Sequence, residues 1–395
     1  MGISTFLNLL KKIYLLVLIG EEVWGMRVLF LSVTAGHGHH QAAKAVMNYL
    51  EEQNVACTML DTFEYINPIL SESIARGYLI STQFTPAVYG RLYRLAEKKE
   101  KNNAKFSISK LTNSILSRKL ITYIREYDPD VIVCTHIFAA QIITQLRGKN
   151  LRARTIGIIT DFTIHPFWED TDLDYYITAS ELLHRQAIKK GIPAEKIKAT
   201  GIPIHMKFSK KISQSEARRI LGLEDKTTIF VMSGSMGYGN VVKGIRQLDK
   251  LDMDFQIISV CGNNKRLKKK IDKLKTKKKI YSYGFVDNVD VIMDASSCIV
   301  TKPGGLTVSE SLAKGLPMIL INPIPGQEDR NVEFLLNNGL AMKTSPTFPV
   351  DEAVFQLMVN EWKQQNLREM IKYIGKPNAS KDLGDFIIQM MHNEN

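Results

Sequence analysis

Thr301-Lys302-Pro303-Gly304-Gly305-Leu306-Thr307-Val308-Ser309-Glu310 follows a short apolar run, Cys298 to Val300, and the segment closes at Gly315. Pro303, Gly304 and Gly305 read as a tight turn from a buried strand onto a helix over 306–314. A helix start carries unpaired N–H groups and the positive end of the macrodipole, which suits a phosphate. Paired glycines let an anion approach the backbone without a Cβ in the way. Glu310 lies one and a half turns further on, where a carboxylate can accept both hydroxyls of a ribose. Together they describe a nucleoside diphosphate site, although an ordinary glycine turn of a parallel sheet carries the same residues.

Three neighbouring features raise the weight of that reading. Met232-Ser233-Gly234-Ser235-Met236-Gly237-Tyr238-Gly239-Asn240 follows another apolar strand and offers backbone N–H groups to an anion. Asn322-Pro323-Ile324-Pro325-Gly326-Gln327-Glu328-Asp329-Arg330-Asn331 places amide and acid side chains after a strand, suited to sugar hydroxyls. Thr34-Ala35-Gly36-His37-Gly38-His39-His40 matches a dinucleotide fingerprint only in its first two glycines, with Gln41 where Gly or Ala is wanted. Asp61 stands at a distance that keeps a nicotinamide dinucleotide reading open. A histidine at a strand end facing a cleft makes a general base, against the alternative of a helix cap. Asp170-Thr171-Asp172 reads as a solvated turn ahead of a metal-binding DxD.

Apolar strands alternate with helical stretches in two blocks. The first contains Val28–Val33, Asp130–Thr135 and Thr155–Ile159; the second contains Thr228–Met232, Phe255–Val260, Ile280–Tyr283, Cys298–Val300 and Met318–Ile321. This predicts an α/β protein of two doubly wound, Rossmann-like domains facing across a cleft. The expected division is an extension over 1–25, a first domain over 26–205 and a second over 206–375. A terminal helix over 376–395 is a candidate to return to the first domain. Gly201-Ile202-Pro203 reads as the linker.

At 395 residues the chain suits two domains. Its four cysteines are scattered with no metal-ligand spacing, which argues against a zinc site or disulfide framework and fits a reducing cytoplasm. The net charge is +12, and the stretch from Lys265 to Lys279 holds ten Lys/Arg residues against Asp272 alone. A solvated helix face is the default reading of such a run. No nucleic-acid motif accompanies it, so an anionic membrane is the favoured partner and nucleic acid is not expected. Residues 13–19 are apolar but too few to span a bilayer. The stretch before Met26 is either a start-site artefact or an amphipathic membrane foot.

Taken together, these residues resemble glycosyltransferase family 28, and within it the diacylglycerol glycosyltransferases. The resemblance is carried by Gly36-His37-Gly38-His39, Thr160-Asp161-Phe162 with His165 and Trp168, Gly201-Ile202-Pro203-Ile204, Gly284-Phe285-Val286, Thr301 to Gly305 with Glu310, and Pro325 to Glu328 with Asn331. It implies a glycosyltransferase-B fold with UDP-sugar on the second domain and a lipid acceptor on the first. His39 then falls beside the acceptor hydroxyl, with Gly38, Asp161, His165 and Trp168 on the acceptor side. Phe285 and Val286 border the uracil, Glu310 takes the ribose, and Gly304 and Gly305 meet the diphosphate with Gly234, Ser235 and Gly237. Gln327, Glu328 and Asn331 surround the hexose. The family has Arg-Pro where this chain has His205-Met206; if His205 neutralises the diphosphate it must be protonated, so donor affinity is expected to weaken as pH rises.

The activity expected is inverting transfer of a hexose from UDP-sugar to 1,2-diacylglycerol, with His39 as base and no metal or other cofactor. Glucose is the favoured donor, since the start of the chain is unlike a plastid transit peptide. The enzyme is expected to be cytoplasmic and peripheral on the inner face of the cell membrane, with 63–119, rich in aromatic and basic residues such as Arg91 and Arg94, as the docking patch. The sequence assigns no oligomeric state. Alternatives are a GlcNAc transferase acting on the undecaprenyl lipid intermediate of peptidoglycan, or a UDP-sugar-binding regulator without turnover.

Overall fold

Runs such as Val28–Leu31 and Val131–Cys134 are apolar without alternation, the pattern of parallel strands covered on both faces. The computed structural model, which describes residues 25–34, 38–66, 115–147, 151–232 and 240–392, places them at the centre of two six-stranded sheets. The first sheet comprises β1 (Arg27–Ser32), β2 (Ala56–Asp61), β3 (Val131–Cys134), β4 (Arg154–Ile158), β5 (Tyr175–Ile177) and β6 (Ile197–Lys198). Its helices are α1 (Gly38–Glu52), α2 (Thr62–Ile66), α3 (Ile115–Tyr127), α4 (Ile137–Arg147) and α5 (His184–Lys189). The second comprises β7 (Thr228–Met232), β8 (Gln256–Val260), β9 (Ile280–Tyr283), β10 (Cys298–Thr301), β11 (Met318–Leu320) and β12 (Ala341–Lys343). Around it lie α6 (Gln214–Ile220), α7 (Val241–Leu248), α8 (Lys265–Asp272), α9 (Val289–Ala295), α10 (Gly305–Lys314), α11 (Gln327–Asn337), α12 (Val350–Val359) and α13 (Glu361–Ile374), with α14 (Ala379–His392) closing the described chain.

Every strand pairing among the described residues is parallel. The strand order is β2-β1-β3-β4-β5-β6 in the first sheet and β12-β11-β10-β7-β8-β9 in the second. The chain therefore reverses direction across the sheet between β1 and β3, and again between β7 and β10. Loops leaving adjacent strands at such a switch point diverge to opposite faces and open a crevice at the carboxyl ends. The glycine turns after β1, β7 and β10 all fall at these two positions. Doubly wound architecture in two blocks is thus what the alternation predicted.

A second strand after β1 is present: β2 pairs with β1 and ends on Asp61. Its residues, Ala56-Cys57-Thr58-Met59-Leu60-Asp61, are mixed in polarity because the strand sits at the sheet edge and none is fully buried.

The tail ties back to the first sheet. Leu383, Ile387 and Met390 of α14 are buried with Val28, Phe30, Val46 and Leu50, each such side chain contributing about 2 kcal/mol of burial. Ser380 Oγ donates to Ile204 O at 2.6 Å. Gly201, at φ +97°, lies so close to this tail that a Cβ would stand 2.5 Å from Lys376 Cβ. The linker is therefore packed under the returning chain.

Candidate active site

The helix after β1 begins at Gly38, so His39 and His40 occupy its first turn. They do different work. His40 is a strut: Ser32 Oγ lies 3.1 Å from its Nδ1, and its Nε2 lies 3.4 Å from Asp61 Oδ2. Asp61 also accepts from Thr34 N at 2.7 Å, Phe63 N at 3.1 Å and Glu64 N at 3.0 Å. Burial pushes this carboxyl upward, but hydrogen bonds from His40, Glu64 and Thr34 outweigh it and hold the group well below the carboxylate range. A carboxylate so fully engaged as cap and anchor is not placed to take the ribose of a dinucleotide.

His39 Nδ1 lies 2.7 Å from Thr135 O and 3.2 Å from Thr160 Oγ1. A carbonyl oxygen only accepts, so Nδ1 carries the proton and Nε2 is left with its lone pair. Burial lowers the pKa to about 4, the Thr135 carbonyl opposing and His40 adding to the effect. The imidazole is therefore neutral, in the tautomer a proton acceptor needs.

Sequence reasoning missed His136, whose ring meets His39 edge-on at 4.6 Å. It stands just past β3, on the other side of the switch point. Its Nδ1 accepts from Phe138 N at 3.2 Å, capping α4 and leaving the proton on Nε2. That Nε2 has no partner among the described residues. Burial first, then His39 and His165, depress its pKa well below the usual value. The available signal was a histidine at the carboxyl end of an evident parallel strand. His165 caps the 3-10 turn Pro166–Asp170 by accepting from Phe167 N at 3.2 Å. Trp168 does not face the cleft. It is 4% exposed, packs edge-on against Tyr176 and fills the space beside Gly157, so it is a core residue.

Across the cleft, α10 starts at Gly305 with Gly304 as its cap, and no side chain caps the open N–H groups. Gly38 faces Leu306 in this first turn, so the two helix starts meet. A Cβ at Gly304 would stand 3.8 Å from Glu328 Oε1, in ordinary contact. Gly305 is small for a steric reason: a Cβ there would stand 2.0 Å from Thr160 O of the first domain.

Glu310 lies on α10 with no hydrogen bond or ion pair to any described residue. Burial raises its pKa to about 8, against the pull of Lys207, with Asp290 pushing the same way as burial. Lys207 reaches Asp287 O and lies 3.5 Å from Asp290. Phe285, on the loop after β9, is 69% exposed, with no ring or cation partner among the described residues; Val286 is half-buried against the core. His205 is exposed and its Nδ1 accepts from Lys207 N at 3.1 Å as a turn cap. Burial, then Lys207, depress its pKa, so a cationic His205 would forfeit the cap. It is not set up as the diphosphate's counter-charge. Gly234, Ser235 and Gly237 lie outside the described residues.

The residues assigned to the hexose and to the acceptor converge, but on each other. Asn331 is fully buried: its Oδ1 accepts from Phe162 N at 2.8 Å, and its Nδ2 donates to Asp161 Oδ1 at 3.0 Å and Pro303 O at 2.9 Å. Gln327 Nε2 donates to the other Asp161 oxygen. Asp161 has its pKa raised to about 6 by burial and by Glu328, with Asn331 and Gln327 pulling it down. Glu328 takes Lys302 Nζ at 2.6 Å on one oxygen and Ile324 N at 2.7 Å on the other. Asn331 is thus a staple between the domains, its amide taken up by protein partners, and Glu328 braces the loop around Lys302. Residues 160–162 touch His39, Gly305 and Asn331 at once.

Asp172 of the DxD pairs with Arg147 at 3.3 Å and Lys196 at 2.7 Å, as a surface turn does. Most of 63–119, with Arg91 and Arg94, lies outside the described residues, as do 1–24. Among the described residues no helix is long and apolar enough to cross a membrane.

Two doubly wound sheets whose switch-point turns face one another define the glycosyltransferase-B class. Solved structures agree in fold. MurG of Acinetobacter baumannii aligns over 92% of this chain and 99% of its own, at 16% identity and TM-score 0.58. The glycosyltransferase of kitacinnamycin gives TM-score 0.61 at 11% identity over 92% and 99%. Anabaena HepE, solved in complex with UDP, gives 0.55 at 14% identity over 92% and 100%. The Monogalactosyldiacylglycerol (MGDG) synthase family matches residues 39–204, and the Glycosyltransferase family 28 C-terminal domain matches residues 228–366. Processive diacylglycerol beta-glucosyltransferases of Bacillus pumilus and Bacillus subtilis are each 29% identical, over 92% of this chain and 94% and 95% of theirs. Residues 39–204 are thus of the MGDG synthase type, and residues 228–366 are a glycosyltransferase family 28 C-terminal domain.

Proposed function

We propose that this protein transfers a hexose, glucose by preference, from a UDP-sugar to the free hydroxyl of 1,2-diacylglycerol, with inversion. The observation that carries the reading is the meeting of two helix starts across one cleft. One presents His39 with a free Nε2, and the other presents open N–H groups one and a half turns from an unpartnered Glu310. The names of the Bacillus relatives support diacylglycerol as acceptor and glucose as sugar, and the UDP complexes of a fold neighbour support the nucleotide.

The acceptor oxygen attacks the anomeric carbon as its proton passes to His39 Nε2. The bond from that carbon to the diphosphate oxygen breaks with its electron pair, and UDP departs. The growing charge meets the N–H groups and dipole of α10, which are fixed in place before the reaction. Glu310 orients the ribose, Phe285 offers a face for the uracil, and Gly304 admits the diphosphate. Gln327, through Asp161, ties the donor loop to the acceptor side. We propose that this charge compensation makes a metal unnecessary, and that the protein works from the inner face of the cell membrane.

The test is transfer to diacylglycerol in anionic vesicles, with UDP-glucose, UDP-galactose and UDP-GlcNAc compared in EDTA. A glucolipid formed in EDTA is expected. Transfer of GlcNAc to a polyprenyl diphosphate acceptor, with none to diacylglycerol, would overturn the acceptor assignment. UDP binding without any transfer would mark a regulator.

A further inference from the structure

The second sheet carries an outer helix layer that plays no part in the cleft. Leu267 and Ile271 of α8 point into the core, and nearly all the rest of that helix is cationic. Lys265, Arg266, Lys269, Lys270 and Lys273 are exposed, and none makes an ion pair or side-chain hydrogen bond to a described residue. The neighbouring α7 buries Val241, Ile245 and Leu248 and turns Lys243 and Arg246 outward, with Lys250 exposed just beyond its end, none with a side-chain partner among the described residues. The acid within α8, Asp272, is taken up by Lys268 at 2.8 Å. Beside α7 on the same face lies α12, packed over the same core. It exposes Phe355 and Val359, one turn apart, and the next helix opens with Trp362, 73% exposed.

A field of unpaired cations edged by large apolar and aromatic side chains has the chemistry of a bilayer interface. The cations attract lipid phosphate, and the rings and aliphatic groups enter the headgroup boundary. Nucleic acid would use the cations but has no use for an exposed Val359. We propose that the α8–α7–α12 face, continued to Trp362, is a docking surface for an anionic lipid bilayer. This deepens the lipid-acceptor reading and rests on it. It places a membrane contact on the donor domain, in addition to the patch expected in the first domain.

The test is co-sedimentation with vesicles of phosphatidylglycerol and phosphatidylcholine, or of phosphatidylcholine alone. It uses the full chain and two variants: Lys265→Gln/Lys269→Gln/Lys270→Gln/Lys273→Gln, and Phe355→Ser/Trp362→Ser. All these positions are exposed, and UDP affinity checks that the fold is intact. The lysine variant is expected to lose at least tenfold in affinity for anionic vesicles at 0.1 M salt, with a flatter salt dependence. The aromatic variant is expected to lose severalfold. Unchanged affinity in both variants overturns the proposal, as does tighter capture of single-stranded RNA than of anionic vesicles. Turnover on diacylglycerol dispersed in neutral detergent is read alongside and is expected to be unchanged in both variants. Absence of turnover there in the unsubstituted protein would count against the transferase reading while the vesicle result still decides the surface.

Discussion

Glu310 is the carboxyl on which the proposed ribose contact rests, and burial has raised its pKa. Its pKa of about 8 lies above the 4.5 of a free glutamate, so the folded protein favours the protonated form through neutral pH. The stability it contributes is full below pH 4.5 and is lost as pH rises toward 8. Glu310→Gln is therefore expected to raise the melting temperature of the ligand-free protein at pH 7.5 while weakening UDP binding at least tenfold. Calorimetry on the two proteins checks both, and a variant that lost stability would make Glu310 structural. His39 titrates the other way: with a pKa of about 4, its base form persists across the neutral range. The acid limb of kcat/KM is expected near pH 4 to 5, and a limb near 6.5 would assign the base elsewhere. His136→Asn retains a cap acceptor for Phe138 N but removes the Nε2 proton and the ring that meets His39, so turnover is expected to fall more than stability, read by kcat and denaturant unfolding. His136→Gln should lose the cap, about 1 kcal/mol, yet recover part of the turnover. Both His39 and Glu310 are legible in the sequence, because each follows a glycine-rich stretch just after an apolar strand. His136 follows no glycine, and its role arises from a neighbour 97 positions away in the chain.

Among elements, the buried strands are legible and the edge strands are not. β1, β3 and β7 read as apolar runs because both faces are covered. β2 has one side open to solvent, β5 spans three residues, and β6 two, too few for any period to show. The loop 322–331 carries readable polar residues, yet which of them face the sugar depends on how the domains meet. Asn331 spends its amide on Phe162, Asp161 and Pro303, and no local pattern announces that. Asn331→Ala leaves three buried groups short of partners and is expected to cost about 3 kcal/mol, read by denaturant unfolding; a loss below about 0.5 kcal/mol would deny it the staple role. Gly305→Ala probes the same junction from the donor side. Its Cβ would drive against Thr160 O, which sits beside the hydroxyl held on His39. Turnover is expected to fall more than tenfold while UDP affinity changes less, and the reverse split would place Gly305's importance at the diphosphate.

At the scale of the molecule, two switch points are brought face to face. The linker at Gly201 and the return of α14 set this relation, and the latter packs a C-terminal helix on the N-terminal sheet. Alternation of strands and helices is enough to foresee two doubly wound domains, because each obeys the same packing rule. Their mutual placement depends on pairs such as Gly38 with Leu306 and Asp161 with Gln327, which are invisible in one chain read linearly. The central claim is that the first domain supplies the base and the second the leaving-group support for one reaction. It is tested most directly by measuring glucosyl transfer from UDP-glucose to diacylglycerol by the unsubstituted protein and by His39→Ala, with UDP affinity measured on both. A loss of turnover on the order of a hundred- to ten-thousand-fold, with UDP bound equally well, is the predicted result. Turnover within a few-fold of the unsubstituted protein would contradict it.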